Sequence, residues 1–215
     1  TTTGASILVD IESLPRGIVF WRSFTNWIGG MGVLLLTLAI LPSVGAGTYH
    51  IMRAESAGPT PGKIVPRIGD TAKLLYGLYF CITFVQILLL LAGGMSLYDS
   101  FIHAFATAGT GGFSNKNASV GEFDNIFIEI VIAIFMFMCG TSFTLYYRVF
   151  KGDIKSVLKD EEFRTYSFIT IVSIILITFN VFGTNFNSIW ESLRHAFFQV
   201  VSVITSTGYV TADFN

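Results

Sequence analysis

The sequence predicts an all-α integral membrane protein made of a repeated unit, present incompletely. The unit is a crossing helix, a short re-entrant helix, a glycine-centred loop and a second crossing helix. Three observations carry this: an apolar composition, four long apolar runs, and a ten-residue block that occurs twice. The 215 residues are 52% hydrophobic, 15% aromatic and only 13% charged, with mean hydropathy +0.65. Soluble domains carry roughly 25% charged residues. The 13 Lys+Arg against 14 Asp+Glu leave a net charge of −1. That excludes a nucleic-acid binder, which needs a basic face, and a disordered or collagenous chain.

The apolar runs cover residues 17–41, 74–93, 126–146 and 166–182. A bilayer core needs roughly 20 helical residues to cross it. The runs are continuous rather than alternating, so helices rather than barrel strands are expected. Nine of the 13 basic residues fall in two connections. Arg53, Lys63, Arg67 and Lys73 precede the second run; Arg148, Lys151, Lys155, Lys159 and Arg164 precede the fourth. The positive-inside rule makes both connections cytoplasmic. Residues 1–15, 94–125 and 183–215 then face outside.

Residues 96–105 read SLYDSFIHAF and residues 188–197 read SIWESLRHAF. Ser96 with Asp99, and Ser188 with Glu191, have capping-box spacing, so each block is expected to start a helix. These helices are too short to cross, and a re-entrant course fits them. The first leads to Thr110-Gly111-Gly112-Phe113 and the second to Ser206-Thr207-Gly208-Tyr209. His103 lies 9 residues before Gly112, and His195 lies 13 before Gly208. The extra four residues are about one helical turn. The chain opens on a third such motif, Thr1-Thr2-Thr3-Gly4. The three glycines recur about 100 residues apart, with two crossing helices between successive copies.

This spacing points to cation conduction. A dehydrated cation needs oxygens to replace its water, and rings of backbone carbonyls supply them. Turning successive carbonyls to one side needs backbone angles that glycine reaches most cheaply. Thr2, Thr3, Thr110, Ser206 and Thr207 can add hydroxyl oxygens. Re-entrant helices would present their partially negative C-terminal ends to the ion. Enzymatic chemistry is not expected, because no nucleophile–base pair or ligand cluster is visible within the spans.

At this point the residues resemble a known family. The stretches TTTGAS (1–6), LPRGIVFWRSFTNWIGGMGVLLLTLAILP (14–42), RAESAGPTPGKIVPRIGDTAK (53–73), TGGFSNKNASVG (110–121) and LRHAFFQVVSVITSTGYVTADF (193–214) carry the resemblance. They are similar to the Trk/Ktr/HKT superfamily of potassium uptake proteins. The resemblance implies four helix–pore helix–filter loop–helix repeats around a central pore, a voltage-gated-channel-like architecture. It implies a potassium-binding filter made of Thr2, Thr3, Gly4, Thr110, Gly111, Gly112, Phe113, Ser206, Thr207, Gly208 and Tyr209. Glycine at positions 4, 112 and 208 is the potassium-associated pattern; serine in the first repeat marks sodium-favouring relatives. Potassium is the ion expected, with no organic cofactor. The implied setting is a multi-pass protein of a bacterial inner membrane, in contact with lipid, a symporter working as a homodimer. A cytoplasmic nucleotide-binding regulatory subunit resembling TrkA is the implied partner, and no nucleic acid. A sodium-permeable or sodium-coupled relative and a structural membrane subunit remain as alternatives.

On this reading residues 1–52 hold the filter and inner helix of the first repeat, and 53–73 a cytoplasmic loop. Residues 74–148 form the second repeat, 149–165 another cytoplasmic loop, and 166–215 the outer helix, pore helix and filter of the third. A fourth repeat and an intramembrane gate on the third inner helix are expected beyond this segment, which is not expected to conduct alone.

Other residues carry simpler expectations. Asp10 and Glu12 are expected to cap the helix beginning near Pro15. Glu129 is expected to be exposed at the interface, and Gln86 and Asn180 to hydrogen-bond between helices. Gly29, Gly30 and Gly32 are expected to permit close helix packing. Cys81 and Cys139 read as small buried hydrophobes.

Overall fold

The computed structural model describes residues 2–8, 10–32, 68–183, 186 and 188–212. The second half of the first apolar run, and Arg53, Lys63 and Arg67, lie outside the described residues. Eight α-helices are described: α1 (Arg16–Gly30), α2 (Ile68–Ala92), α3 (Leu97–Ala108), α4 (Ile126–Cys139), α5 (Phe143–Phe150), α6 (Ile154–Lys159), α7 (Glu161–Val181) and α8 (Ile189–Ile204). A 3-10 turn, Ser119–Phe123, precedes α4. Among the described residues the only β pairing is an isolated bridge between Phe182 and Phe186.

Residues Lys73–Ala92 of α2 and all of α7 are long and apolar enough to cross a membrane. At 1.5 Å per residue, 20 residues reach about 30 Å, the thickness of the hydrocarbon core. α2 ends where Gly94 takes φ +94. The Gly94 N–H donates to Leu91 O and the Met95 N–H to Leu90 O, at 3.0 and 3.1 Å. This Schellman cap reverses the chain, so α3 can start at once from its N-cap Ser96. α7 turns Phe168, Ile171, Leu176 and Phe179 outward, which suits contact with lipid tails.

The third run is not one straight helix. α4 and α5 meet at 98° across Gly140, Thr141 and Ser142. At the break the Met138 carbonyl, which takes the Thr141 N–H at 3.1 Å, also accepts from Thr141 Oγ1 at 2.7 Å and Tyr146 Oη at 2.6 Å. That satisfies a polar group which would be costly in an apolar setting. The first run departs from expectation too. α1 ends at Gly30, and Gly32 takes a left-handed φ of +73, inside the stretch read as one span.

α1, α2 and α3 pack around Trp27. Its ring lies 5.5 Å from Tyr79 and 5.1 Å from Phe105, and its indole N–H donates to Thr83 Oγ1 at 3.1 Å. Gly30 does allow close packing: a methyl group there would press on Tyr79 Oη and on Gly109 Cα. Gln86 is fully buried, yet neither end of its amide has a hydrogen-bond partner among the described residues. Among the described residues the interhelical bond expected of it is not formed. Cys139 is buried as expected, whereas Cys81 is exposed.

The α4–α5 elbow lies against α7 and the end of α8. A methyl group at Gly140 would sit 2.7 Å from Thr205 Cγ2 and 2.8 Å from Tyr166 Oη. Overpacking of this kind costs about 1–3 kcal/mol. Gly140→Ala should therefore lower the Tm of the detergent-solubilised full-length protein. Adding Thr205→Ser and Tyr166→Phe, which remove the two colliding groups, should restore most of the loss. An unchanged Tm in Gly140→Ala would refute the packing argument.

Candidate functional site: three glycine-centred loops

α3 has 12 residues and α8 has 16, the one-turn difference expected from their histidine-to-glycine spacings. Ser96 caps α3 as expected, accepting from the Asp99 N–H at 3.1 Å and donating to Asp99 Oδ2 at 2.7 Å. Ser188 does not: it is the N-cap residue of α8, but its side chain makes no capping bond. Both helices retain a second serine bond instead. Ser100 Oγ donates to Ser96 O, and Ser192 Oγ to Ser188 O.

Both helices end in the same way. The Thr110 N–H donates to Thr107 O and the Gly111 N–H to Ala106 O, at 3.0 and 2.8 Å. The Ser206 N–H donates to Val203 O and the Thr207 N–H to Ser202 O, at 3.0 and 2.9 Å. These are Schellman caps, whose left-handed position is usually glycine. Here Thr110 and Ser206 occupy it, at φ +50 and +57. A β-branched residue such as Thr110 in that region is strained.

Two residues on, the backbone is left-handed again, at Gly112 (φ +62) and Gly208 (φ +85). The first motif repeats the pattern, with Thr2 at φ +47 and Gly4 at φ +71. All three loops thus alternate left-handed, ordinary, left-handed. Along such a backbone successive peptides rotate so that their carbonyls gather on one side and their N–H groups on the other.

The loops lie side by side in chain order. A methyl group on Gly4 would sit 2.8 Å from Gly111 O, and one on Gly112 would overlap Thr207 O. The middle carbonyls of the second and third loops therefore lie against the glycines of the loops before them. Glycine is required at positions 4 and 112 both by φ and by space.

The flanking aromatics serve as supports. Tyr209 is fully buried, and its hydroxyl donates to His103 O and Phe113 O, each at 3.2 Å. The carbonyl of Tyr209 accepts from Ser202 Oγ at 2.7 Å. The Phe113 and Tyr209 carbonyls each take one such bond, and Tyr209 straps the third loop to the second. The Thr207 hydroxyl is also engaged, with Thr205 Oγ1 at 2.8 Å.

Beyond the second loop, the Arg22 guanidinium stacks 4.5 Å from the Phe113 ring and donates to Ser114 O at 2.8 Å. Asn26 lies against Gly109 and Gly111, where no side chain would fit. Neither Arg22 nor Asn26 was legible as a site residue in the sequence, because each acts on a loop roughly 90 residues away. Asp10 and Glu12 do not cap α1, whose N-cap is Pro15 with no side-chain bond. Asp10 instead accepts from Asn117 Nδ2 at 2.9 Å, and this bond holds its carboxyl below the ordinary carboxylate value. Glu12 pairs with Lys116 at 3.8 Å. The two acids tie the stretch after the first loop to the stretch after the second.

The family described as TrkH, cation transport protein, matches residues 1–215. The chain belongs to the TrkH family. This TrkH-family chain is 40% identical over 214 residues to the Trk system potassium uptake protein TrkH of Salmonella typhimurium, covering 98% of its own length. It is 35% identical over 216 residues to the Trk system potassium uptake protein TrkG of Escherichia coli. The crystal structure of the potassium transporter TrkH from Vibrio parahaemolyticus superposes with a TM-score of 0.80 at 32% identity, over 98% of this chain and 43% of that one. The chain spans 44% of the length of the Salmonella and Escherichia relatives. An apolar, helical, multi-pass membrane protein follows from the family and the fold together.

Removing the Tyr209 hydroxyl strips a donor from two buried carbonyls. A net hydrogen bond is worth about 0.5–1.5 kcal/mol. Tyr209→Phe should lower the Tm of the solubilised full-length protein by a corresponding few degrees. A Tm equal to the parent's would show that the strap carries no load.

Proposed function

We propose that this chain supplies three filter loops of a potassium uptake pathway, and that potassium is its transported ion. The three adjacent loops, each with two left-handed residues, carry this reading. Their carbonyls would replace the hydration shell of a monovalent cation one ring at a time. Thr2, Thr3, Gly4, Thr110, Gly111, Gly112, Phe113, Ser206, Thr207, Gly208 and Tyr209 contribute the ion-facing backbone, and the Tyr209 side chain braces it. No covalent chemistry is involved. The C-terminal ends of α3 and α8 lead directly into the loops, where their partial negative charge favours a cation. The relatives, which are potassium uptake proteins, support potassium as the ion.

The remainder of the pathway belongs to the whole protein. A fourth filter loop would close the ring. A homodimer in a bacterial inner membrane, acting as a symporter and regulated by a cytoplasmic nucleotide-binding subunit resembling TrkA, is the assembly we infer from the resemblance.

Gly112→Ser tests the filter directly. A left-handed non-glycine residue costs roughly 1–2 kcal/mol, and the side chain would also collide with Thr207 O. In full-length protein reconstituted in liposomes, the substitution should lower the preference for potassium over sodium by about tenfold, the equivalent of 1.4 kcal/mol. Parental uptake with parental selectivity would overturn the proposal and favour a structural subunit. Equal sodium and potassium permeation in the parent would replace potassium by a less selective cation pathway.

A further inference from the structure

Glu129, expected at an exposed interface, is 5% exposed near the start of α4. Its Oε2 lies 3.6 Å from Nε of Arg194 on α8, which is itself 18% exposed. The pair joins the second repeat to the third pore helix. In the matching block of the second repeat, Ile102 stands where Arg194 stands in the third. The repeat unit itself therefore needs no charge at this place. Taking two charges out of water is costly, and such pairs are poor sources of stability; setting register is a better-attested use.

The arginine reaches further. Arg194 Nη2 lies 3.1 Å from Nε2 of His195, and His195 Nδ1 lies 3.0 Å from Thr211 Oγ1. A guanidinium can only donate, so Nε2 accepts and the neutral ring carries its proton on Nδ1. That proton points at the Thr211 hydroxyl, three residues beyond Gly208. Phe186 stacks on the imidazole at 4.6 Å and fixes its plane.

The histidine of the second repeat is arranged differently. His103 Nδ1 donates to Asp99 O at 2.8 Å, a carbonyl of its own helix, and Nε2 faces Ser114 Oγ at 3.1 Å. Each histidine holds a hydroxyl just beyond its filter glycine. In the second repeat the backbone sets the tautomer; in the third, the neighbouring arginine sets it. The backbone around Thr211 docks on the second repeat as well: the Gly121 N–H donates to Val210 O at 3.2 Å, and Thr211 O abuts Gly121.

We propose that Glu129 and Arg194 are positioning residues for the third filter loop, acting through His195 on Thr211 to set the potassium preference. The glutamate orients the guanidinium, the guanidinium fixes the ring proton, and the ring proton holds the arm that leaves Gly208. This inference rests on the filter reading above and names residues outside the filter that tune it.

The test is a double-mutant cycle in reconstituted full-length protein, read as potassium uptake against sodium competition. Glu129→Gln keeps the volume and removes the charge. Thr211→Val keeps the shape and removes the hydroxyl. Each should lower the potassium-to-sodium ratio by roughly 2- to 30-fold, the range of coupling effects from residues that do not touch a ligand. The double variant should fall no further than the worse single variant, because both break one chain. Arg194→Lys keeps a cation but loses the fork that reaches both partners, and should lower the ratio in the same way. It takes the place of Glu129→Gln if that variant fails to reach the membrane. A parental ratio in these variants, with only a smaller amount of folded protein, would reduce the pair to a structural role and overturn the proposal. Multiplicative losses in the double variant would also overturn it. Gly112→Ser run alongside separates the two readings. If it too keeps the parental ratio, the filter reading fails; if it alone lowers the ratio, only the positioning role fails.

Discussion

The alternation of left-handed and ordinary backbone within each glycine loop is the constraint from which the surrounding architecture follows. It cannot be held by local preference. Thr2, Thr110 and Ser206 occupy φ values that L-residues avoid. Their strain persists only where neighbouring structure over-determines it. In the second and third loops that structure is the Schellman end of α3 or α8, which dictates where the next N–H groups must point. The lateral contacts Gly4–Gly111 and Gly112–Thr207 then leave no space for a side chain at either glycine. Loops fixed this way are ordered before anything binds between them, so a ligand would not have to meet the ordering cost at that moment.

The braces around the loops are of two chemical kinds. Buried, uncharged contacts hold the inner side: Tyr209 between two carbonyls, Asn26 against Gly109 and Gly111, and Thr205 against Gly140. Charged and amide groups hold the outer side, as in Asp10–Asn117, Glu12–Lys116 and Arg22 on Ser114. The division follows solvation. Ionic contacts are inexpensive where water can reach them and costly where it cannot. Glu129–Arg194 is the exception, a largely buried charge pair.

The elbow between α4 and α5 has the same logic. A helix broken in an apolar environment must find partners for the freed carbonyls. Thr141 and Tyr146 supply two hydroxyls to Met138 O, and Gly140 lets α7 and the end of α8 approach. The bend and the third loop are thus neighbours in space, though residues 140 and 208 are far apart along the chain. The basic connection that follows α5 sits at the far end of α4 from its start beside Gly93, where the Asn125 amide donates to Gly93 O.

What the sequence determined by itself is whatever depends on local spacing. Apolar run length gave the crossing helices α2 and α7, the doubled SxxD/E block gave α3 and α8, and the histidine-to-glycine distances gave the extra turn of α8. The three glycine motifs were legible because the φ they need restricts residue type. Tertiary structure alone decided the rest. That Thr205 and Tyr166 lie against Gly140 at the bend of the third apolar run is one such outcome. Whether Asp10 capped a helix depended on Asn117 lying beside it. Whether Glu129 met water or Arg194 depended on how α4 and α8 docked. Each of these is a contact between segments remote in sequence, and hydrophobicity and helical period specify which face is buried without specifying which partner covers it.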